Sequence, residues 1–72
     1  MSKLFKHDVA LHFKDSGWDT YEVNADCLEN ARYAAVKRVI EELGRSYAEQ
    51  INLIRIYEHN SDKLLKEYQV TE

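Results

Sequence analysis

The sequence predicts an α+β domain of order β-β-α-β-β, a four-stranded, mainly antiparallel sheet with one helix packed on one face. Three observations predict it: apolar alternation on both sides of a turn at 14–17, an apolar stripe of helical period closed by Gly44, and two β-rich segments flanking a polar turn at 59–62.

From Phe5 to Phe13, residues Phe5, His7, Val9, Leu11 and Phe13 fall on one face and Lys6, Asp8, Ala10 and His12 on the other. This is the two-residue period of a half-buried strand. Lys14-Asp15-Ser16-Gly17 supplies a turn, and Trp18 to Ala25 resumes the alternation with Tyr21, Val23 and Ala25 facing in. Asp26-Cys27-Leu28-Glu29 has the spacing of a capping box with Asp26 as the cap. At about 100° per residue Leu28, Ala31, Ala35, Val36, Val39, Ile40 and Leu43 gather on one side of the helix that follows. Asn30, Lys37, Arg38 and Glu41 lie opposite, and Gly44 suits the position just past the end.

Residues 45–50 read as a connection. Ile51 to Tyr57 is β-branched with apolar side chains on both faces, Ile54 and Ile56 on one and Ile51, Leu53 and Tyr57 on the other, as in an interior strand covered on both sides. After the turn His59-Asn60-Ser61-Asp62, the segment Leu64 to Val70 sets Leu64, Tyr68 and Val70 against Leu65, Glu67 and Gln69. The expected core is Phe5, Val9, Leu11, Phe13, Tyr21, Val23, Leu28, Ala35, Val39, Leu43, Ile54, Ile56, Tyr68 and Val70.

Seventy-two residues make room for one domain, 1–72, and 44% apolar with 32% charged residues is a globular mixture. A chain this short buries only about 60% of its unfolded surface, which favours self-association. A single cysteine, Cys27, forms no internal disulfide and no structural zinc site. The net charge of −3 opposes nonspecific attraction to nucleic acid or to an anionic membrane. The segment Met1 to Asp8 reaches charge too soon for a secretion leader, and no run approaches the length of a membrane span, so a cytoplasmic location is expected.

The residues that could carry chemistry are few. His7 and His12 are five apart on one strand and point to opposite faces, which excludes a shared metal ion; His59 sits in a turn, and no metal is expected. Cys27 opens the helix, a position that lowers a thiol pKa, but a small half-exposed side chain there needs no function. The acids Asp8, Asp15, Asp19, Glu22 and Glu29 include no pair whose separation the sequence fixes. Two glycines exclude a phosphate loop or a dinucleotide fingerprint. No catalytic residue, no cofactor and no enzymatic activity are expected. Arg32 lies near the apolar face of the helix, where its stem can run over the sheet and its guanidinium reach the rim.

Tyr21-Glu22-Val23-Asn24-Ala25 leading into residues 26–35 resembles a strand-to-helix pattern of small prokaryotic and phage-type proteins, and it transfers no functional residue. The expected function is that of a small accessory or regulatory protein, of phage or mobile-element kind by size, working as a homodimer that engages a protein partner. The expected contact surface is the sheet face away from the helix, through Leu4, Ala10, Leu53, Tyr57 and Leu65, or else an edge strand that extends the sheet across a two-fold axis. That face also carries Lys6, Asp8, Glu22, Arg55 and Glu67, whose pairing across strands would instead make it a solvated surface. The alternative is nucleic-acid binding through Lys37, Arg38 and Arg45.

Overall fold

The computed structural model describes residues 3–70; Met1 and Ser2, which open the segment weighed against a secretion leader, lie outside them. Strands β1 (Phe5–Phe13) and β2 (Gly17–Ala25) form a hairpin, helix α1 (Leu28–Leu43) and a single turn of helix α2 (Arg45–Ala48) follow, and β3 (Ile51–Glu58) with β4 (Leu64–Gln69) forms a second hairpin. The sheet is antiparallel throughout in the order β2-β1-β3-β4. Both hairpins therefore contribute their first strand to the centre and their second to an edge.

The local chemistry explains these boundaries. Gly17 (φ 85°) closes the first turn and Gly44 (φ 96°) ends α1, its N–H donating to the carbonyls of Val39 and Ile40; both adopt the left-handed region a side chain disfavours. The start of α1 departs from the expected capping box. Cys27 is the N-cap and makes no side-chain cap bond, while the Asp26 carboxylate accepts from the Asn30 side chain at 2.7 Å. The expected connection at 45–50 is largely α2, from which Tyr47 packs on Phe13, ring centroids 4.7 Å apart, and donates to Ser16 Oγ.

The core lies between the sheet and α1. Val9, Leu11, Phe13, Val23, Ala31, Ala35, Val39, Ile54 and Ile56 are buried, joined by Ala25 and Ile51. Ile51 is a correction to its expected face: an irregularity between His12 and Phe13 pairs Phe13 with Ile51, so Ile51 joins Ile54 and Ile56 inside. Leu53 and Tyr57 are left on the other face, half-buried rather than covered. His7 is buried among these side chains with its Nδ1 unpartnered.

Three residues expected in the core are exposed: Phe5, Leu43 and Val70; Tyr21, Leu28 and Tyr68 are half-buried at its margin. Ile40, expected on the buried side of the helix, is exposed as well. Phe5 lies at the end of β1, beyond its pairing with β3, which begins at His7 opposite Glu58; for Ile40, Leu43 and Val70 the reason is width. Four strands about 4.8 Å apart span more than one helix about 10 Å across can cover. Helix α1 packs chiefly on β2, less on β1 and β3, so the β4 side of the sheet extends past it.

Among the described residues no helix is long and apolar enough to cross a membrane.

Candidate functional site

Two surfaces carry the side chains with something to bind: the sheet face away from α1 and the flank of α1 that looks toward β4.

Pairing registers lay out the first surface as rows across β2, β1, β3 and β4. Glu22, Asp8, Tyr57 and Leu64 form one row; Thr20, Ala10, Arg55 and Glu67 the next; Trp18, His12, Leu53 and Gln69 the third. In the middle row the Arg55 guanidinium reaches past Ala10 to the ring of Trp18, 5.1 Å away, while its Nε donates to Glu67 at 2.7 Å. This arm accounts for the burial of Ala10, only 8% exposed on a face with no second layer. The hydrogen bond to Glu67 also raises the Arg55 pKa above its ordinary value. In the third row His12 packs edge-on against Trp18 and shares a 2.7 Å hydrogen bond with Asn52, and a shallow depression of about 410 Å³ opens between them, Leu53 and Gln69.

The first row holds a second group. Asp8 and Glu22 face each other across β1 and β2, and His59 reaches over both from the β3–β4 turn. Its Nδ1 lies 3.0 Å from Asp8 Oδ1 and 3.9 Å from Glu22 Oε2. The Asn60 N–H, set by a left-handed backbone (φ 57°), donates to Asp8 Oδ2. The His59 hydrogen bond, with that N–H and the nearby imidazole charge, holds the Asp8 carboxyl below its ordinary pKa against the opposing effect of burial. Lys6 pairs with the other oxygen of Glu22 at 3.3 Å.

The expected association residues thus sit on a face whose charges pair across strands. Ala10 is covered by Arg55, Leu53 is half-buried between His12 and Gln69 and Tyr57 between Asp8 and Leu64, Leu65 lies at the irregular start of β4, and Leu4 is exposed just before β1. Of the three cations of the nucleic-acid alternative, Arg38 is engaged on its own molecule. It pairs with Glu42 at 3.2 Å, donates to the Glu22 carbonyl, and lies 5.5 Å from the centre of the Tyr21 ring, whose hydroxyl pKa burial pushes up. Lys37 is exposed on the outer side of α1, and Arg45 begins α2 beyond the Gly44 break. Cys27 is exposed at the N-cap.

The second surface was not legible as a site in the sequence. Arg38 touches β2, and Arg32 lies over the ring of Tyr68 on β4 at 4.5 Å and that of Tyr33 at 4.7 Å, so the two arginines mark opposite flanks of α1. On the Arg32 flank Tyr33, Val36, Ile40 and Leu43 follow one another at spacings of three, four and three residues. Tyr33, Ile40 and Leu43 are 55%, 37% and 48% exposed, and across from them Tyr68 and exposed Val70 form the helix-side surface of β4. Helix α1 thus bears two apolar stripes. One, Leu28, Ala31, Ala35 and Val39, is spent on the sheet; the other faces outward above the uncovered strand.

Comparison with known protein families, with curated proteins and with solved structures finds no match to this chain.

Proposed function

We propose that this protein acts by association rather than catalysis, as a homodimer joined through the outer stripe of α1. The observation that carries the reading is the symmetry of that stripe. In an antiparallel two-fold pairing centred between Val36 and Ile40, Val36 meets Ile40 of the second copy and Tyr33 meets its Leu43, each contact occurring twice. The three-four-three spacing is that of a helix-on-helix seam, and antiparallel helices also set their dipoles favourably. A second helix laid there supplies the cover that β4 lacks, over Tyr68 and Val70, and adds the apolar area a 72-residue chain is short of. An accessory or regulatory role toward a further protein partner is consistent with this arrangement, the sheet face with its Trp18, Leu53 and Tyr57 remaining free for it.

Light scattering with dilution tests the reading. The wild-type chain is expected at twice 8.5 kDa. Ile40→Asp with Leu43→Asp, both at exposed positions, should give a folded monomer. Leu53→Lys with Tyr57→Lys should leave the dimer intact. A concentration-independent monomer of the wild-type chain would sink the proposal, and dissociation by the second pair alone would move the interface to the sheet face.

A further inference from the structure

Asp8, Glu22 and His59 stand out among the polar side chains because three separate elements converge to bring them together. One ligand atom from each lies within 4.8 Å of the other two. Asp8 and Glu22 are directly opposed on adjacent strands, an arrangement that costs stability for like charges unless a positive charge lies between them. Lys6 meets this need only on the far oxygen of Glu22; the near oxygen and Asp8 Oδ1 both look toward the His59 Nδ1.

We infer that Asp8 Oδ1, Glu22 Oε2 and His59 Nδ1 form a binding site for a divalent transition-metal ion of the zinc type. The donor set is one imidazole and two carboxylates, the mixture that suits zinc rather than calcium or magnesium, which take oxygen ligands and more of them. A tetrahedral zinc ion with bonds of about 2.0–2.1 Å sets its ligand atoms about 3.3 Å apart. The observed separations of 3.0 and 3.9 Å from Nδ1 bracket that value, the three atoms all lie within 4.8 Å of one another, and the half-exposed Glu22 side chain, held by its surface pair with Lys6, has to turn inward to close the remaining distance. Two carboxylates also neutralise the ion, so the like-charge opposition becomes an asset once it is bound.

The surroundings support a ligand there. Asp8 is held by the outer contact a metal-bound carboxylate needs, the Asn60 N–H on its second oxygen at 3.2 Å. Beside the triad lies an open depression of about 400 Å³ lined by Asp8, Ala10, Thr20, Tyr57, Ser61 and Asp62, which leaves a fourth coordination position accessible to water or a small anionic ligand. The site is on the sheet face, away from the α1 seam, so it neither depends on dimerisation nor tests it.

The experiment is calorimetric titration of the metal-free, full-length protein with Zn²⁺, with Co²⁺ absorption as a report of coordination. One ion per chain is expected, and Co²⁺ should give the intense visible bands of a four-coordinate site. Asp8→Asn and His59→Gln should each weaken Zn²⁺ binding at least tenfold, as should Glu22→Gln at an exposed position, with retention of fold checked by circular dichroism. Lys6→Ala should tighten binding a fewfold by releasing Glu22. Cys27→Ser and the Ile40→Asp, Leu43→Asp pair should leave it unchanged. Absence of binding, or binding unaffected by both His59→Gln and Glu22→Gln in folded protein, would overturn the inference.

Discussion

The half of the sheet beneath α1 and the half beyond it are built from the same kinds of strand, yet they are finished differently. Under the helix, Val9, Val23 and their neighbours meet Ala31, Ala35 and Val39, and the small alanines let the helix approach closely. Beyond it, β4 and the residue after it present Tyr68 and Val70, with the Arg32 guanidinium and the Lys66 ammonium over the tyrosine ring. The first half is closed by packing; the second carries two cations on a ring. A single helix therefore divides a four-stranded sheet into a covered part and a part left open.

Substitution in the two stripes of α1 gives the largest contrast. Val39→Asp places an unpaired charge in the closed half and should cost more than about 4 kcal/mol, unfolding the domain in a urea titration. Ile40→Asp, one residue on, should change the stability of the monomer by less than about 1 kcal/mol while disrupting the dimer. Equal effects at the two positions would erase the distinction between the stripes. Next in size is His7→Leu, which removes a buried, unpartnered ring nitrogen from β1 and should raise the urea midpoint, by about 1–2 kcal/mol of stability. Arg32→Ala should cost about 1 kcal/mol through the lost ring contacts and increase the exposure of Tyr68 to a fluorescence quencher.

The smallest effect is on acid stability and belongs to the open face. Asp8 titrates below its ordinary value of 3.8 in the folded chain, so the stability it contributes is present above about pH 4 and is lost as pH falls through the lower folded value. Facing it are His59, Glu22, Lys6 at the far oxygen of Glu22, and the Asn60 N–H. His59→Ala removes the largest cause of the shift. The fall in urea midpoint of the metal-free protein between pH 5 and 2 should then be shallower, and an unchanged slope would assign the acid loss to other carboxylates.

The strands, both hairpin turns and the end of α1 were legible because each rests on a short-range rule: two-residue alternation, turn residues, and a glycine where the backbone turns left-handed. Arg32 over the sheet was legible too, since a charge at the margin of an apolar stripe has a long stem to lay down. What escaped depends on partners far along the chain. Ile51 changed face because β1 and β3 slip past one another near Phe13, which nothing in residues 51–57 announces. Phe5, Ile40, Leu43 and Val70 were misjudged because periodicity tells which way a side chain points but not how far the opposite layer extends. The Asp8–Glu22–His59 group joins β1, β2 and the last turn, and its one local hint was a polar residue at each of three unrelated places.

The order β2-β1-β3-β4 also governs when the molecule can come into being. Each hairpin closes from neighbouring residues and can form early, but a lone hairpin is marginal in water. The seam between the central strands is different: Phe13 must wait for Ile51, and Val9 for Ile56. Until β3 pairs with β1, the first hairpin and α1 keep one side of their apolar surface unmatched. Joining the two hairpins is therefore the long-range step of folding, and before it the unpaired edge of β1 is a template on which strands of other copies can pair.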